Sequence, residues 1–288
     1  MDLGRIDLEH TLSCGQAFRW RRRGDAWEGV VEGKLVRLWH KDHRIEAETD
    51  LRDVRLESYF RADDDLDSML GEMCRDDYVA SLVERFPGLR LLRQDPWECS
   101  ASYILATYSN IPRINKMIER VCAMYGEEIE EGVHSFPTPR AILGNEKGAE
   151  TCGLGFRCAR FLQFARRVRL GEVDFERLRR SSYEDSHRRL VELEGIGDKV
   201  ADCIAVFSLD HLEAFPVDVR TGRFLKERFG VTGSYGKVSR FARQHFGRYA
   251  GYSQEFIYYA MDRRHNGAAR SHSSQERHCG APTPEWVS

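Results

Sequence analysis

The sequence predicts an α+β protein, with an antiparallel β-sheet and short helices over residues 1–90 and an all-helical domain over residues 91–265. Aromatic and β-branched residues alternate with turn residues over the first fifty positions, which is typical of a strand meander. From Leu51 onward, apolar residues recur at helical spacing, and capping residues mark where helices begin. The tail from Asn266 to Ser288 is poor in large apolar residues and is predicted to be disordered.

Length and composition set the broad class of the chain. Its 288 residues suffice for about two domains of roughly 150 residues each. A content of 41% hydrophobic and 31% charged residues indicates a globular chain, neither disordered nor fibrous. No apolar run approaches the roughly 20 residues that span a bilayer, and the acidic start lacks the features of a secretion signal. The sequence therefore predicts an intracellular protein with no membrane partner.

Cysteine spacing argues against a metal or disulfide framework. The eight cysteines are scattered over the chain, and no two of them form a CxxC pair. Zinc ribbons and iron–sulfur clusters usually draw close ligand pairs from one loop. We therefore expect reduced thiols, no metal and no other cofactor.

Charge is unevenly distributed along the chain. The net charge is only −2, but residues 41–75 hold 6 Lys/Arg and 11 Asp/Glu, whereas residues 156–190 hold 10 and 5. The basic stretch is compatible with a surface that faces phosphates. A solvated surface that neutralises itself is the alternative, and charge alone favours it.

Four strands are predicted in the N-terminal part, with turns at Arg23-Gly24-Asp25, Gly33-Lys34 and Lys41-Asp42-His43 between them. They span Gln16–Arg21, Ala26–Glu32, Leu35–His40 and Arg44–Glu48.

Helices are predicted throughout the rest of the chain. One should follow Asp95-Pro96, because an aspartate can cap a helix and proline fits its first turn. Another should follow the break at Ser109-Asn110-Ile111-Pro112, and a third should begin at Pro137-Thr138-Pro139. Later helices are predicted over 157–169, 184–193, 198–208, 219–229, 237–246 and 253–264.

The most informative segment is the run LEGIGDKVADC, residues 193–203. Gly195 and Gly197 are separated by one apolar residue and lie between two helical patterns, which predicts a tight hairpin. Consecutive N–H groups of such a hairpin, at the start of a helix, can hold one phosphate of a DNA strand. An ordinary helix–helix turn, in which glycine supplies a positive φ, explains the same residues.

Two polar residues follow the hairpin at positions suited to chemistry. Lys199 lies in the first turn of the next helix, where the positive end of the helix dipole should lower the pKa of its amine and favour a nucleophile. A solvated surface lysine is the alternative. Asp218, in the run FPVDV, is a good N-cap for a helix over residues 219–229, and its carboxylate can also face the lysine.

Beyond these residues, five segments occur together in an order that resembles one enzyme family. The run LEGIGDKVADC followed by FPVDV resembles the helix-hairpin-helix DNA glycosylases with a Gly/Pro…Asp loop, and within them the 8-oxoguanine DNA glycosylase/AP lyases. The resemblance extends from about Leu12 to Arg264. It is carried by SCGQAFRW, QDPWECSASYILATYSNIPRI, GLGFRCARF, SSYEDSHRRLVELEGIGDKVADC and YAGYSQEF.

The resemblance implies a site and a reaction. Lys199 would attack C1′ of the damaged nucleoside, Asp218 would stabilise the developing cation, and a Schiff base would permit β-elimination. The partner would be double-stranded DNA containing oxidised guanine. The protein would be a monomer and would act in the compartment that holds the cell's DNA. The pocket for the flipped base would be formed by Gly15, Cys203, Phe207, Gln254 and Tyr258.

Residues that face the opposite base depart from the family pattern. The usual run of three asparagines appears as Tyr108-Ser109-Asn110, so only Asn110 is retained. Arg113 and Arg157 match the family, whereas Phe156 stands where tyrosine is common. Tyr108 can stack into the vacated space, so the preference for cytosine opposite the lesion is expected to be weaker.

Two rival functions remain at this stage. One is a glycosylase for another damaged purine, such as an alkylpurine, although such monofunctional relatives generally lack the hairpin lysine. The other is a helix-hairpin-helix DNA-binding protein without catalysis, which would bind a lesion-bearing duplex but would not crosslink to it.

Overall fold

A computed structural model of the protein describes Leu3, residues 5–41 and residues 44–263 in full, and residues 264–275 by their backbone. The strands are β1 Arg21–Arg23, β2 Ala26–Val31, β3 Lys34–Lys41, β4 Arg44–Thr49, β5 Glu128–Glu130 and β6 Val133–His134. The first helices are α1 Leu8–Ser13, α2 Asp53–Tyr59, α3 Leu66–Met73, α4 Asp77–Arg85, α5 Pro96–Ala106, α6 Ile111–Tyr125, α7 Pro139–Leu143 and α8 Glu146–Thr151. The later helices are α9 Arg157–Arg169, α10 Phe175–Arg180, α11 Tyr183–Val191, α12 Asp198–Ser208, α13 Val219–Phe229, α14 Tyr235–Phe246 and α15 Ala250–Gln275, with a 3₁₀ turn at Gly247–Tyr249.

The N-terminal sheet is an antiparallel meander in the order β1-β2-β3-β4. Trp27 pairs with Leu38, and Leu38 with Ala47, so apolar residues of three strands line one face. This face and α1 pack on α2 in one hydrophobic cluster. The α+β class is confirmed, and the predicted turn at Lys41-Asp42-His43 lies partly outside the described residues.

The first strand differs from the prediction. Strand β1 covers only Arg21–Arg23, whereas Gln16–Arg21 was predicted as a strand. Gln16 is buried; its side-chain amide donates to the carbonyl of Arg90 at 2.8 Å and accepts the Leu92 N–H at 2.7 Å. Its own carbonyl accepts from the Tyr103 hydroxyl at 3.1 Å. These polar groups tie the sheet to the helices and are not available for a strand ladder.

Three helices have the predicted bounds, because strong local signals delimit them. They are α9, α12 and α13. Asp95 caps α5 by accepting the Glu98 N–H at 2.8 Å, as its position before a proline predicts. Helices α1, α8 and α10 and the β5–β6 hairpin were not predicted, since each is too short to show a period.

The end of the chain is helical for longer than predicted. Helix α15 continues to Gln275, so the backbone of residues 266–275 is helical where disorder was predicted. Extending an existing helix needs no new nucleation, and this segment contains no proline. The rest of the predicted tail, residues 276–288, lies outside the described residues.

The helical part has its own, larger hydrophobic cluster. Helix α5 packs against both α9 and α12, and α15 packs against α4 and α13. Residues of α3 and α4 belong to this cluster and not to that of the sheet. The domain boundary near residue 90 stays a prediction.

Candidate active site

A cavity of about 800 Å³ lies where the segment after α1, the α5–α6 loop, α12, the start of α13 and α15 meet. This volume lies within the range of small-ligand pockets. It is lined by both residues predicted to be catalytic and all five predicted to hold the base: Lys199, Asp218, Gly15, Cys203, Phe207, Gln254 and Tyr258. Tyr108 and Asn110 also line it, whereas Arg113, Arg157 and the two hairpin glycines do not.

The hairpin between α11 and α12 has the predicted tight form. Gly195 has a φ of +91°, and a Cβ there would lie 2.9 Å from the Cβ of Arg160, so this position requires glycine. A Cβ at Gly197 would meet nothing within 4 Å. A second cavity, of about 710 Å³, borders both glycines and Lys199. The lysine therefore borders the base-sized cavity on one side and the hairpin on the other.

Lys199 is half-buried, and its Nζ lies 5.1 Å from the centroid of the Tyr103 ring. Burial lowers the pKa of the amine, but Cys203, Asp218 and Glu255 raise it by more, so the pKa lies above its ordinary value. The prediction of a lowered pKa, made from the helix dipole alone, is therefore wrong. The effects of Cys203, one turn along the same helix, and of Asp218 and Glu255 in other segments outweigh the desolvation.

Asp218 caps α13, as predicted. Its Oδ1 accepts the Thr221 N–H at 2.7 Å, and the Thr221 hydroxyl lies 2.9 Å from the same oxygen. The Asp218 N–H donates back to the Thr221 hydroxyl, which completes a capping box. These bonds hold the carboxylate in a fixed orientation where it lines the cavity together with Lys199.

The residues predicted to form the base pocket include two small ones, Gly15 and Cys203, and two aromatic ones, Phe207 and Tyr258. Cys203 is buried one turn after Lys199, and burial raises the pKa of its thiol to about 11 against the lowering effect of the lysine. Gly15 has a φ of +94°, and a Cβ there would lie 3.7 Å from the Tyr258 ring. Phe207 stacks on Tyr103 with ring centroids 5.7 Å apart. Phe207 thus contacts both the cavity and the core.

A buried carboxylate on α12, that of Asp202, connects two segments of the site through hydrogen bonds. Asp202 has no exposed surface, and its two oxygens accept from the hydroxyls of Tyr183 and Tyr235, each at 2.6 Å. The Tyr235 hydroxyl in turn accepts a hydrogen bond of 3.2 Å from the N–H of Val217, which is the residue before Asp218. This chain of bonds links the helix of the lysine to the loop of the aspartate. No local pattern in the sequence predicts these bonds, because the partners of Asp202 lie 19 and 33 positions away.

The α5–α6 loop presents the residues predicted to face the opposite base. The Tyr108 side chain is 89% exposed, with a φ of +50°, and its ring lies 6.4 Å from that of Phe156. Asn110 caps α6 by accepting the Arg113 N–H at 3.1 Å. Arg113 is exposed on the first turn of that helix.

Arg157 occupies a different environment from Arg113. It is only 2% exposed, and its guanidinium donates to the carbonyls of Thr107 at 2.8 Å and Tyr108 at 3.0 Å. Burial and the nearby Arg113 lower the pKa of this guanidinium. In this structure Arg157 therefore fixes the backbone of the loop that carries Tyr108, and its contact with DNA stays a prediction.

The described residues carry few other candidate sites for a bound group. Their seven cysteines are free thiols. Across residues 5–41 and 44–263, no three His, Cys, Asp or Glu side chains cluster so that a metal ion could be held. No helix in the described part of the chain is long and apolar enough to cross a membrane.

The chain is similar to known proteins in sequence and in structure. Residues 1–99 match the family model described as the N-terminal domain of 8-oxoguanine DNA glycosylase. A probable N-glycosylase/DNA lyase from Methanothermobacter thermautotrophicus is 28% identical over an alignment that covers 89% of this chain and 93% of that protein.

Solved structures show the same likeness. Clostridium acetobutylicum 8-oxoguanine glycosylase/lyase, crystallised with double-stranded DNA containing cytosine opposite 8-oxoG, superposes with a TM-score of 0.84 and 28% identity, over 90% of this chain and 93% of that one. A 3-methyladenine DNA-glycosylase from Archaeoglobus fulgidus has a TM-score of 0.70 and 21% identity, over 88% and 94%. The second likeness shows a shared fold alone.

Proposed function

Because the chain belongs to the 8-oxoguanine DNA glycosylase/lyases of the helix-hairpin-helix superfamily, we propose that it removes 8-oxoguanine from duplex DNA and then cleaves the strand at the resulting abasic site. The observation that carries the proposal is the juxtaposition of Lys199 and Asp218 on one cavity of nucleoside size. We expect the enzyme to act beside the cell's DNA, in a nucleoid or a nucleus.

The reaction needs an amine, a carboxylate and no metal. As the bond between C1′ and N9 of the base breaks, its electron pair leaves with the base, which takes up a proton, and C1′ gains positive charge that Asp218 stabilises. The neutral Nζ of Lys199 bonds to C1′. The adduct loses a proton from nitrogen, the ring oxygen O4′ gains one as the C1′–O4′ bond breaks, and the product is a protonated Schiff base. Removal of a 2′ proton then expels the 3′ phosphate.

Recognition requires that the base leave the duplex and enter the cavity. Cys203 and Tyr258 would contact its two faces, and Gln254 would bond to its Watson–Crick edge. The carbonyl of Gly15 would accept the N7 proton that 8-oxoguanine carries and guanine lacks. An unpaired carbonyl facing a lone pair disfavours guanine by about 1–3 kcal/mol.

Backbone groups would hold the DNA strand itself. The first amides of α12 have no partner within the helix, and the open space at Gly197 lets a phosphate approach them. Arg113 is exposed near the same face as Tyr108 and would contact a further phosphate or the opposite base.

A borohydride trapping experiment tests the proposed function. The protein is incubated with a duplex containing 8-oxoguanine opposite cytosine, and the reduced adduct and free base are measured, with an undamaged duplex as control. We expect a covalent adduct and base release with the damaged duplex only. Binding without an adduct would support the non-catalytic rival, and an adduct with alkylated but not oxidised purine would support a different substrate.

We expect Asp218→Asn to lower the single-turnover rate of base release about 10²-fold, because the cationic sugar loses its counter-charge. Asparagine is also a good N-cap, so the free energy of unfolding should fall by less than about 1 kcal/mol. Asp174→Asn is the matched control, since Asp174 caps α10 through the Arg177 N–H at 2.9 Å, away from the cavity. Equal rates for the two variants would remove Asp218 from the mechanism.

Tyr108 bears on the choice of opposite base. Its ring can stack on any base, whereas asparagine would bond to cytosine, so Tyr108→Asn is expected to raise the ratio of rates on lesion:cytosine and lesion:adenine duplexes several-fold. Asparagine tolerates the positive φ at this position. Tyr108→Phe, which keeps the ring, should leave the ratio unchanged. An unchanged ratio in the asparagine variant would contradict this role.

A further inference from the structure

Glu255 is a buried carboxyl group in the cavity that none of the steps above uses. It follows Gln254 on α15, is 2% exposed, and lines the cavity with Lys199 and Asp218. Its Oε1 has no hydrogen-bond partner among the described residues. A buried, unpartnered carboxyl oxygen is costly, and it calls for a partner that arrives during the reaction.

Its surroundings place it within electrostatic reach of the nucleophile. The carboxyl group and the Lys199 amine each perturb the other's pKa, and the Cys14 thiol lies against the same carboxyl. The titratable groups that face Glu255 are Cys14 after α1, Tyr103 on α5, Lys199 and Cys203 on α12, Asp218 before α13, and Tyr258 on α15.

The mechanism leaves one proton unassigned. The pKa of Lys199 is raised, so the side chain is an ammonium at neutral pH and cannot attack C1′ until it loses a proton. Asp218 is less suited to this step, because its Oδ1 is committed to the N–H and hydroxyl of Thr221.

We infer that Glu255 is the proton acceptor that converts the Lys199 ammonium into the attacking amine. In this step an N–H bond of the ammonium breaks and an O–H bond forms on Glu255, so a carboxylic acid and a neutral amine replace the carboxylate and the ammonium. No oxidant or further reactant is required. The inference rests on the proposed function, because it assigns a role within the same lysine chemistry.

The environments of the two carboxyl groups suit this division of work. Burial raises the pKa of Glu255 to about 7, although the Cys14 thiol and the lysine lower it, so the group can take up and release a proton near neutral pH. Two carboxyl groups whose environments differ in this way typically divide into a proton-transfer group and a charge stabiliser. Glu255 must be ionised to accept, so the rate should rise with pH through about 7.

The experiment compares wild type with Glu255→Gln on two duplexes, by the single-turnover rate of borohydride trapping over a range of pH. One duplex carries 8-oxoguanine and the other a preformed abasic site, on which lysine attack needs no base recognition. We expect the variant to be about 10²-fold slower on both at neutral pH. The difference should shrink at alkaline pH, where hydroxide deprotonates the lysine directly.

Several outcomes discriminate between roles of Glu255. A rate loss that stays constant with pH indicates a merely structural role, and a loss confined to the 8-oxoguanine duplex indicates base recognition; either would overturn the inference. Equal trapping rates for wild type and Glu255→Gln on the abasic duplex would also overturn the inference. Glu227→Gln, at an exposed position on α13, is the matched control. If Glu255→Gln fails to fold, Glu255→Met, which suits a buried site, is measured in the same way.

The two duplexes also separate this inference from the proposed function. A wild-type adduct on the abasic duplex but not on 8-oxoguanine would reject the proposed substrate and would still test Glu255. A wild-type adduct on both, with an equally fast Glu255→Gln variant, would reject only the proton-acceptor role.

Discussion

Lys199→Gln is expected to abolish both base release and strand cleavage, with a fall of at least about 10³-fold in the single-turnover rate, because no other lysine among the described residues lines the cavity to form the Schiff base. Binding of the lesion-bearing duplex should persist. The hairpin amides remain in place, and glutamine keeps much of the length of the lysine stem. The measurements are base release, borohydride trapping and duplex affinity on the same preparation.

The control for this variant is Lys226→Gln, which removes a lysine from the exposed face of α13. It should cleave and crosslink like wild type. Retained crosslinking by the Lys199 variant would assign the nucleophile elsewhere. Loss of binding together with activity would instead indicate that Lys199 holds the DNA.

Sequence alone was sufficient wherever the evidence is local. The hairpin glycines, the capping role of Asp218 and the spacing of Lys199 and Cys203 on one helix face all depend on residues within one or two turns. Propensity, capping and helical periodicity act over that range. The site residues recognised through their runs therefore lie together, and all but the two arginines and the two hairpin glycines line a single cavity.

Features that depend on distant segments could not be predicted in the same way. The raised pKa of Lys199 results from Cys203 on its own helix and from Asp218 and Glu255 in other elements, and a helix-dipole argument includes none of these groups. Arg157 has the sequence context of a DNA-contacting residue, yet its guanidinium is satisfied by carbonyls of the α5–α6 loop. Glu255 itself was not predicted, although the resemblance placed its neighbours Gln254 and Tyr258 in the base pocket, because neither capping nor periodicity marks a carboxyl group that will be buried.

The bond network behind the site leads to the second large effect. Asp202→Ala is expected to lower the free energy of unfolding by about 3 kcal/mol, because it leaves the hydroxyls of Tyr183 and Tyr235 without an acceptor inside the protein. Asp198→Ala, at an exposed position in the first turn of the same helix, should lower it by less than about 1 kcal/mol. Denaturant unfolding of both variants measures the difference.

Asp202 should also influence catalysis through position and not through contact with the DNA. Tyr235 connects it to the N–H of Val217, so loss of the Tyr235 hydroxyl frees the backbone that precedes Asp218. Tyr235→Phe is therefore expected to slow base release about tenfold at temperatures where it remains folded, because small displacements of a charge-stabilising group weaken its effect. Its duplex affinity should match wild type. An unchanged rate of base release in Tyr235→Phe would show that this network does not orient Asp218. An Asp202→Ala protein as stable as Asp198→Ala would show that the network does not stabilise α12, the helix that carries Lys199.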